Sequence, residues 1–170
     1  MEGKTAKESL AVTTKVVLPH ETNTMGKLFG GALLAWMDEI AAVSAHRHSK
    51  RVVVTASVNN VSFGHPVNLG AIVTLEAKVS RAYSTSMEVI IDVYVEDRMT
   101  GEKKLSNEAI YTFVAVDDSN QPAQVPKLIP ETEQEKERYM AALRRRQLSL
   151  VLAGKLKPSE ASELKSIFNL

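Results

Sequence analysis

Residues 23–48 of the chain read NTMGKLFGGALLAWMDEIAAVSAHRH, and this stretch decides the fold. It begins with a polar loop that holds Asn23, and the adjacent glycines Gly30 and Gly31 lead into a long apolar run. At about 100° per residue, the apolar positions of this run cover almost the whole circumference of a helix. A helix that is apolar on nearly every side has to be covered by other parts of the molecule. We therefore predict a long, buried helix that ends near His48.

Asp38 interrupts the apolar run near the middle of the predicted helix. An ionised carboxylate in buried surroundings loses hydration energy unless another group compensates the loss. Gly30 and Gly31 lie at the predicted N-terminus of the helix, where backbone N–H groups lack intrahelical acceptors and the helix dipole is positive. Such a terminus can bind an oxyanion or a carbonyl oxygen. One stretch therefore contains a candidate base and a candidate oxyanion site.

The composition is that of an ordinary globular domain. The 170 residues include 44% hydrophobic and 24% charged side chains, and the formal net charge is +1. This balance gives no reason to expect nucleic acid or an anionic membrane as a partner. The chain has no cysteine, which excludes disulfides, a thiol nucleophile and a cysteine-based metal site. The sequence has no apolar run long enough for a bilayer and no signal-peptide core, so we expect a cytoplasmic protein without a membrane partner.

Five β-rich segments accompany the helix in the sequence. The first, Ala11–Leu18, precedes the helix and is rich in β-branched residues, and Pro19 ends it. Four more follow the helix: Val52–Phe63, Ala71–Ala82, Ser86–Glu96 and Lys104–Val116. The short connections between these four predict antiparallel pairing. One small sheet cannot cover every side of the helix, so packing alone predicts a homo-oligomer.

These segments predict three regions in an α+β chain. Residues 1–10 form a flexible N-terminus, residues 11–126 form the main domain, and residues 127–170 form a C-terminal helical extension. The extension begins a helix with acidic residues and ends it with a basic cluster, which complements the helix dipole.

Five segments of the chain are distinctive when they are read in order. They are NTMGKLFGGALLAWMDEIAA, VTASVNNVSF, HPVNLGAIVTLEAKVSRAYSTSMEV, AIYTFVAVD and PETEQEKERYMAALRRR. Together they resemble the cytosolic acyl-CoA hydrolases (acyl-CoA thioesterases) of the hotdog-fold superfamily, over about four-fifths of the chain. The resemblance implies a hotdog fold, in which a five-stranded antiparallel sheet wraps around a long central helix. It also implies a dimer with a continuous sheet, often assembled into a hexamer as a trimer of dimers.

The same resemblance implies an activity and its residues. The reaction is hydrolysis of the thioester of fatty acyl-CoA, with no metal and with coenzyme A only as part of the substrate. Asn23 matches a loop asparagine that helps to hold the thioester, and Asp38 matches a helix aspartate that acts as general base or nucleophile. The carbonyl oxygen is assigned to Gly30 and Gly31 because of the free N–H groups at the helix N-terminus, and not because of the resemblance. For coenzyme A, the resemblance points to Ala56, Ser57, Val58, Thr85, Ser86, Met87 and Arg146.

The spacing of the two polar residues favours an active site that is shared between subunits. From Gly31 to Asp38 the helix extends about 10 Å, at about 1.5 Å per residue. The loop that holds Asn23 lies at the near end of this helix, so the two side chains would meet more easily across a two-fold axis.

Two other functions are open at the level of sequence. One is a non-catalytic hotdog regulator that binds acyl-CoA, against which the presence of both Asn23 and Asp38 argues. The other is a hydratase or dehydratase of the same fold, for which His20 and His46 are poorly placed. His46 and His48 are two residues apart and do not share a helix face, so they do not form a metal pair.

Overall fold

The computed structural model describes residues 2–168, except for the side chains of residues 60, 62, 63, 167 and 168. The chain divides after Ile129 into two compact units, which are described separately below.

The first unit is built on the long helix α1, Gly30–Ser49. The helix begins where the N–H groups of Ala32 and Leu33 donate to the carbonyl of Phe29, at 3.0 and 3.1 Å. It ends at Lys50, whose φ of 56° is left-handed and whose N–H donates to the carbonyl of His46 at 2.7 Å. A left-handed residue is a common C-terminal stop for a helix. The helix therefore has the extent that the apolar run predicts.

Strands account for most of the remaining first unit. In chain order they are β1 (Lys4–Thr5), β2 (Ala11–Val16), β3 (Val52–Phe63), β4 (Ile72–Ala82), β5 (Ser86–Glu96), β6 (Lys103–Val116) and β7 (Leu128–Ile129). Five of them form one antiparallel sheet in the order β2-β4-β5-β6-β3. The predicted α+β hotdog architecture, a five-stranded antiparallel sheet around a central helix, is confirmed.

The sheet covers most of α1 but leaves one stripe of it exposed. The helix packs against β2, β3, β4, β5 and β6, and Trp36, Met37 and Ala41 are among its buried residues. The exposed positions recur about once per turn at Gly31, Ala35, Glu39 and Val43. β3 also ends the sheet on one side, and Val52, Val54 and Val58 on it are 66%, 48% and 47% exposed. One sheet therefore leaves apolar surface uncovered on the helix and along β3.

The N-terminal residues differ from the flexible segment that the sequence predicts. β1 pairs in parallel with β7, and a short 3-10 helix follows at Lys7–Ser9. Ser9 is fully buried, and its hydroxyl accepts a hydrogen bond from the N–H of Val79 at 2.9 Å. The segment has no hydrophobic period of its own, and its contacts lie far along the chain, so local patterns do not reveal its order.

The second unit is the helical extension that the sequence predicts. Its helices are α2 (Glu133–Leu152) and α3 (Ser162–Phe168). α2 begins with a capping box, in which the Thr132 hydroxyl accepts from the N–H of Glu135 at 3.2 Å. In the part of the chain that is described, no helix combines the length and the apolar character needed to cross a membrane.

His48 joins the end of α1 to the chain before β7. Its side chain is fully buried, and Nε2 lies 2.8 Å from the carbonyl oxygen of Pro126. Nε2–H therefore donates to that oxygen, which leaves Nδ1 without a proton in the neutral ring. Burial lowers the pKa of His48 below its ordinary value, although the hydrogen bond to Pro126 opposes this shift.

We predict that His48 makes the protein less stable as the pH falls from about 7 to 5. The unfolded imidazole binds a proton with a pKa of about 6.5, whereas the folded ring resists protonation. As the pH falls, the unfolded state therefore gains protons before the folded state does. The free energy of unfolding decreases by at most about 1.4 kcal/mol per pH unit for this group. Denaturant unfolding at several pH values should show a shallower decline for His48→Gln than for the wild type. An unchanged slope in His48→Gln would contradict this account.

Candidate active site

Asp38 lies on α1 at the border between its covered and uncovered sides. Its side chain is half-buried, and the hydroxyl of Thr55 on β3 donates to its Oδ1 at 2.8 Å. This hydrogen bond supplies part of the compensation that a carboxylate in this position needs. Asp38 is therefore held in a defined orientation while it remains accessible at the open edge of the sheet.

Tyr111 of β6 supports the turn of α1 that precedes Asp38. Its hydroxyl donates to the backbone carbonyl of Leu34 at 3.1 Å, four residues before Asp38 in the same helix. Burial, and to a lesser extent the negative charge of Asp38, raises the pKa of Tyr111 to about 12. The phenol therefore stays protonated at neutral pH and cannot act as a base.

The side chain of Asn23 holds its own loop together through one of its two polar atoms. Its Oδ1 accepts hydrogen bonds from the N–H groups of Met25 at 2.9 Å and Lys27 at 3.2 Å. The loop is closed further by the N–H of Asn23, which donates to the carbonyl of Lys27 at 2.8 Å, and by Gly26, which has a φ of 66°. Because the oxygen is used in the turn, the NH₂ group is the part of Asn23 that can act on a ligand, as a donor.

The glycine pair lies at the N-terminus of α1, as the sequence predicts. The ring of Phe29 lies over Gly31, where an added Cβ would be only 2.5 Å from Phe29 Cε1. The absence of a side chain at Gly31 therefore lets this ring lie against the first turn. The N–H groups of Gly30 and Gly31 precede the first intrahelical bonds and belong to the first turn of the helix, where free N–H groups can bind an anion or a carbonyl oxygen.

A cavity of about 340 Å³ opens beside this helix end. Its wall contains Asn23, Met25, Lys27, Leu28, Gly30, Leu33, His65, Pro66, Val67 and Asn107. Asn23 and Gly30 thus share one cavity, but Asp38 is not part of its wall. Asp38 is about 12 Å beyond Gly30 along the helix axis, at about 1.5 Å per residue. Within one chain, the carbonyl-binding candidates and the carboxylate are therefore separate.

The two segments predicted to bind coenzyme A lie on the strands that flank β6. The pairing of β3 with β6 is interrupted between Thr55 and Ser57, at Ala56, and such irregularities often re-aim side chains near functional sites. Val114 of β6 pairs on one side with Ser86 of β5 and on the other side with Val54 of β3. The segments 56–58 and 85–87 are therefore about 10 Å apart, two strand spacings at the same end of the sheet.

These segments differ in their exposure. Ala56 and Val58 are exposed and Ser57 is half-buried, whereas Ser86 is 8% exposed and Met87 is completely buried. The Met87 side chain belongs to the core between sheet and helix, so only its backbone is available beside a ligand.

Arg146 lies in α2 of the second unit. Within the described residues, no three side chains of His, Cys, Asp or Glu come together in a group that could hold a metal ion.

The chain is similar to characterised and uncharacterised thioesterases over most of its length. The sequence pattern of the thioesterase superfamily matches residues 25–102. The uncharacterized acyl-CoA thioester hydrolase YkhA of Bacillus subtilis is 43% identical over 134 residues, which cover 79% of this chain and 78% of that one. Acyl-coenzyme A thioesterase 11 of the mouse is 39% identical over 144 residues, and these cover 85% of this chain but 24% of the mouse protein. The chain thus spans about a quarter of this mammalian relative.

Solved structures agree with this similarity. The acyl-CoA hydrolase of Bacillus cereus has a TM-score of 0.84 and 42% identity, covering 90% of this chain and 94% of that one. The Staphylococcus aureus acyl-CoA hydrolase in complex with butyryl coenzyme A, coenzyme A and coenzyme A disulfide has a TM-score of 0.83 and 36% identity, covering 89% and 94%. This chain belongs to the acyl-CoA hydrolase family of the thioesterase superfamily and has its hotdog fold.

Thr55 is the residue that sequence reasoning missed. Structures of the Staphylococcus aureus hydrolase include alanine variants of one asparagine, one aspartate and one threonine. In that chain the aspartate comes 15 positions after the asparagine, and the threonine comes 17 positions after the aspartate. Asn23, Asp38 and Thr55 have the same two intervals here. The available signal was a hydroxyl beside Ala56 in the segment VTASVNNVSF, but only the packing of β3 on α1 joins it to Asp38.

Proposed function

We propose that this protein hydrolyses the thioester of acyl-CoA, releasing the free acid and coenzyme A. The observation that carries the proposal is the set Asn23, Asp38 and Thr55, which repeats the intervals of the three residues replaced in the Staphylococcus aureus hydrolase. The contact between Thr55 and Asp38, at 2.8 Å, supports the proposal because it is a direct physical link between two members of the set.

The thioester carbonyl is proposed to lie at the N-terminus of α1. The N–H groups of Gly30 and Gly31 point toward the negative charge that develops on the carbonyl oxygen in the tetrahedral intermediate. The NH₂ group of Asn23 shares the cavity with Gly30 and donates to the same oxygen or to the attacking water. The turn formed by the Asn23 side chain holds that donor in place before substrate arrives, so less order has to be gained on binding.

Asp38 is proposed to start the reaction in one of two ways. As a general base, it takes a proton from a water molecule whose oxygen bonds to the carbonyl carbon, after which the C–S bond breaks and the coenzyme A thiolate takes up a proton. As a nucleophile, its own oxygen forms the bond to the carbonyl carbon, the C–S bond breaks and the coenzyme A thiolate takes up a proton. Water then cleaves the resulting anhydride, which releases the free acid and restores the Asp38 carboxylate. In both routes Thr55 is a positioning residue, because it contacts the carboxylate rather than the substrate.

Two subunits are proposed to build each site. The support comes from the separation of Asp38 from the cavity, and from the apolar surface left exposed on α1 and β3. A second copy paired along β3 would continue the sheet and bring the partner's carboxylate toward the cavity. A structure described as an apo-hexameric acyl-CoA thioesterase has a TM-score of 0.86, 39% identity and coverage of 90% of this chain and 98% of that one. We propose the same state here, as a trimer of dimers.

Coenzyme A is proposed to bind along the edge strand and the neighbouring turn. The exposed segment 56–58 offers backbone groups and the Ser57 hydroxyl to the pantetheine amides, and Thr85 and Ser86 face it across β6. A guanidinium suits a phosphate, so Arg146 is proposed to bind one in the nucleotide part. No metal or further cofactor is proposed, and the cytoplasm is the proposed compartment, since one relative with 31% identity is a cytosolic acyl coenzyme A thioester hydrolase of the rat.

We expect Asp38→Asn to lower kcat for acyl-CoA roughly 10²–10⁴-fold, because the amide keeps the shape of the side chain and removes the base. Steady-state release of free thiol, followed with a thiol-reactive dye, measures the effect. The exposed neighbour Glu39 provides a matched control, since Glu39→Gln should leave kcat within a few-fold of the wild type. Wild-type turnover in Asp38→Asn would contradict the mechanism, and binding of acyl-CoA without hydrolysis by the wild type would identify a regulator instead.

We expect Thr55→Val to lower kcat about tenfold, because it keeps the shape of the side chain but removes the hydrogen bond to Asp38. Thr55→Ser retains the hydroxyl and should stay within a few-fold of the wild type. The melting temperature of both variants serves as the control for folding. Equal activity of the valine and serine variants would mean that the contact at 2.8 Å has no catalytic role.

We expect that two inactive variants restore activity when they are mixed. Asn23→Asp keeps the oxygen that closes the loop and removes the donor, and Asp38→Asn removes the base. In a hybrid dimer one site receives both changes and the other receives neither. After joint unfolding and refolding, about a quarter to a half of wild-type activity should return, depending on how randomly the chains pair. If hybrids form but remain inactive, each site is built within one chain.

A further inference from the structure

Tyr111 presents its ring to α1 from the middle of strand β6. It is only 1% exposed, and it pairs with Val89 of β5 on one side and with Val58 of β3 on the other. Its ring stacks on Phe113, the next residue on the same face of β6, with the ring centres 6.4 Å apart and the ring planes at 16°. Close packing of this kind restricts the movement of a ring, so the hydroxyl of Tyr111 has a defined position.

This hydroxyl reaches the turn of α1 that carries Asp38. It donates to the carbonyl oxygen of Leu34 at 3.1 Å. In an α-helix a carbonyl also accepts from the N–H group four residues later, which for Leu34 is the N–H of Asp38. A carbonyl oxygen has two lone pairs and can accept both bonds. Tyr111 and the backbone of Asp38 therefore meet at one oxygen atom.

Two separate contacts tie Asp38 to the same pair of strands. The hydroxyl of Thr55 on β3 donates to the carboxylate Oδ1 at 2.8 Å, whereas Tyr111 on β6 binds the backbone of the preceding turn. Thr55 pairs with Phe113, the residue on which the ring of Tyr111 stacks. The side chain of Asp38 and its backbone are therefore fixed from neighbouring positions of β3 and β6.

The hydroxyl of Tyr111 is not needed to fill the core. Phe113 occupies the next position on the same face and is equally buried, at 1% exposed, without a polar atom. A buried hydroxyl costs desolvation energy that a phenylalanine at position 111 would not cost. Burial, and after it the negative charge of Asp38, raises the pKa of Tyr111 to about 12, so the hydroxyl keeps the proton that it donates to Leu34. The polar atom thus lies where it can act on the turn before Asp38.

We propose that Tyr111 is a positioning residue for Asp38 in the hydrolysis of acyl-CoA. Its hydroxyl holds residues 34–38 of α1 against β6, and this keeps the carboxylate beside Thr55 and directed at the reacting carbonyl carbon or water. The proposal rests on the proposed function and adds a residue that does not touch the substrate. A small displacement of the carboxylate slows the chemical step and leaves substrate binding unchanged, so the effect belongs to kcat rather than to KM.

The test begins with Tyr111→Phe, which removes the hydroxyl and keeps the ring. Acetyl-, butyryl-, octanoyl- and palmitoyl-CoA are assayed, and the variant is compared with the wild type on the substrate that the wild type hydrolyses fastest. We expect kcat to fall about three- to tenfold, with KM changed by less than about twofold. Tyr111→Leu also lacks the hydroxyl and should lose at least as much kcat, so the result does not depend on the folding of one variant.

Ser9→Ala is the matched control. Ser9 is fully buried, and its hydroxyl likewise bonds to a backbone group, since it accepts from the N–H of Val79 at 2.9 Å. It belongs to the N-terminal segment rather than to α1, β3 or β6. Ser9→Ala should lower the melting temperature about as much as Tyr111→Phe and leave kcat at the wild-type value. An equal loss of kcat in the two variants would overturn the proposal, because general loosening of the core would then explain it.

A double-variant cycle with Thr55→Val tests whether both contacts act on the same carboxylate. Residues that act on one group are not independent, so the loss of kcat in Tyr111→Phe/Thr55→Val should differ clearly from the product of the two single losses. A simple product would overturn the proposal. If the wild type hydrolyses acyl-CoA while Tyr111→Phe keeps the wild-type kcat or changes only KM, the proposal is wrong and the proposed function stands. If the wild type hydrolyses no acyl-CoA, both are wrong.

Discussion

The burial of α1 by a single curved sheet is the constraint on which the rest of the structure depends. The helix has buried side chains at Trp36, Met37 and Ala41, and the apolar faces of β4, β5 and β6 pack against it. The sheet has five strands and two ends, so it cannot close around the helix. A stripe of α1 and the outer side of β3 stay open. Asp38 and Thr55, to which we assign roles in the proposed reaction, lie at this boundary, where polar groups are accessible and are still held by a rigid core.

The same constraint explains the position of the carboxylate. An aspartate fully inside the core would lose more hydration energy than one hydroxyl could replace. Asp38 is half-buried at the boundary, where the hydroxyl of Thr55 donates to its Oδ1. The helix N-terminus, with Gly30 and the loop of Asn23, is about two turns away. We propose that a second subunit joins these groups, because it would cover the apolar stripe at the same time.

Two asparagines line the cavity from different elements. The oxygen of Asn23 closes its own loop by accepting from the N–H groups of Met25 and Lys27, which leaves its NH₂ group as the donor that we propose for the substrate. Asn107 lies in strand β6 and is only 3% exposed. A donor that the fold holds in place before substrate binds loses less entropy on binding.

The sequence by itself determined the elements and their order. The apolar run after Gly31, the β-branched segments and the short turns act locally, so the predicted helix and all five sheet strands lie within about two residues of their observed bounds. Asn23 and Asp38 were also singled out from the sequence, because they stand in a distinctive motif, and their roles stay predictions. Only the tertiary structure decided that Thr55 binds Asp38, that β1 pairs with β7 and that Asn107 lines the cavity. These contacts depend on strand register and helix packing, and no local period of the chain encodes either of them.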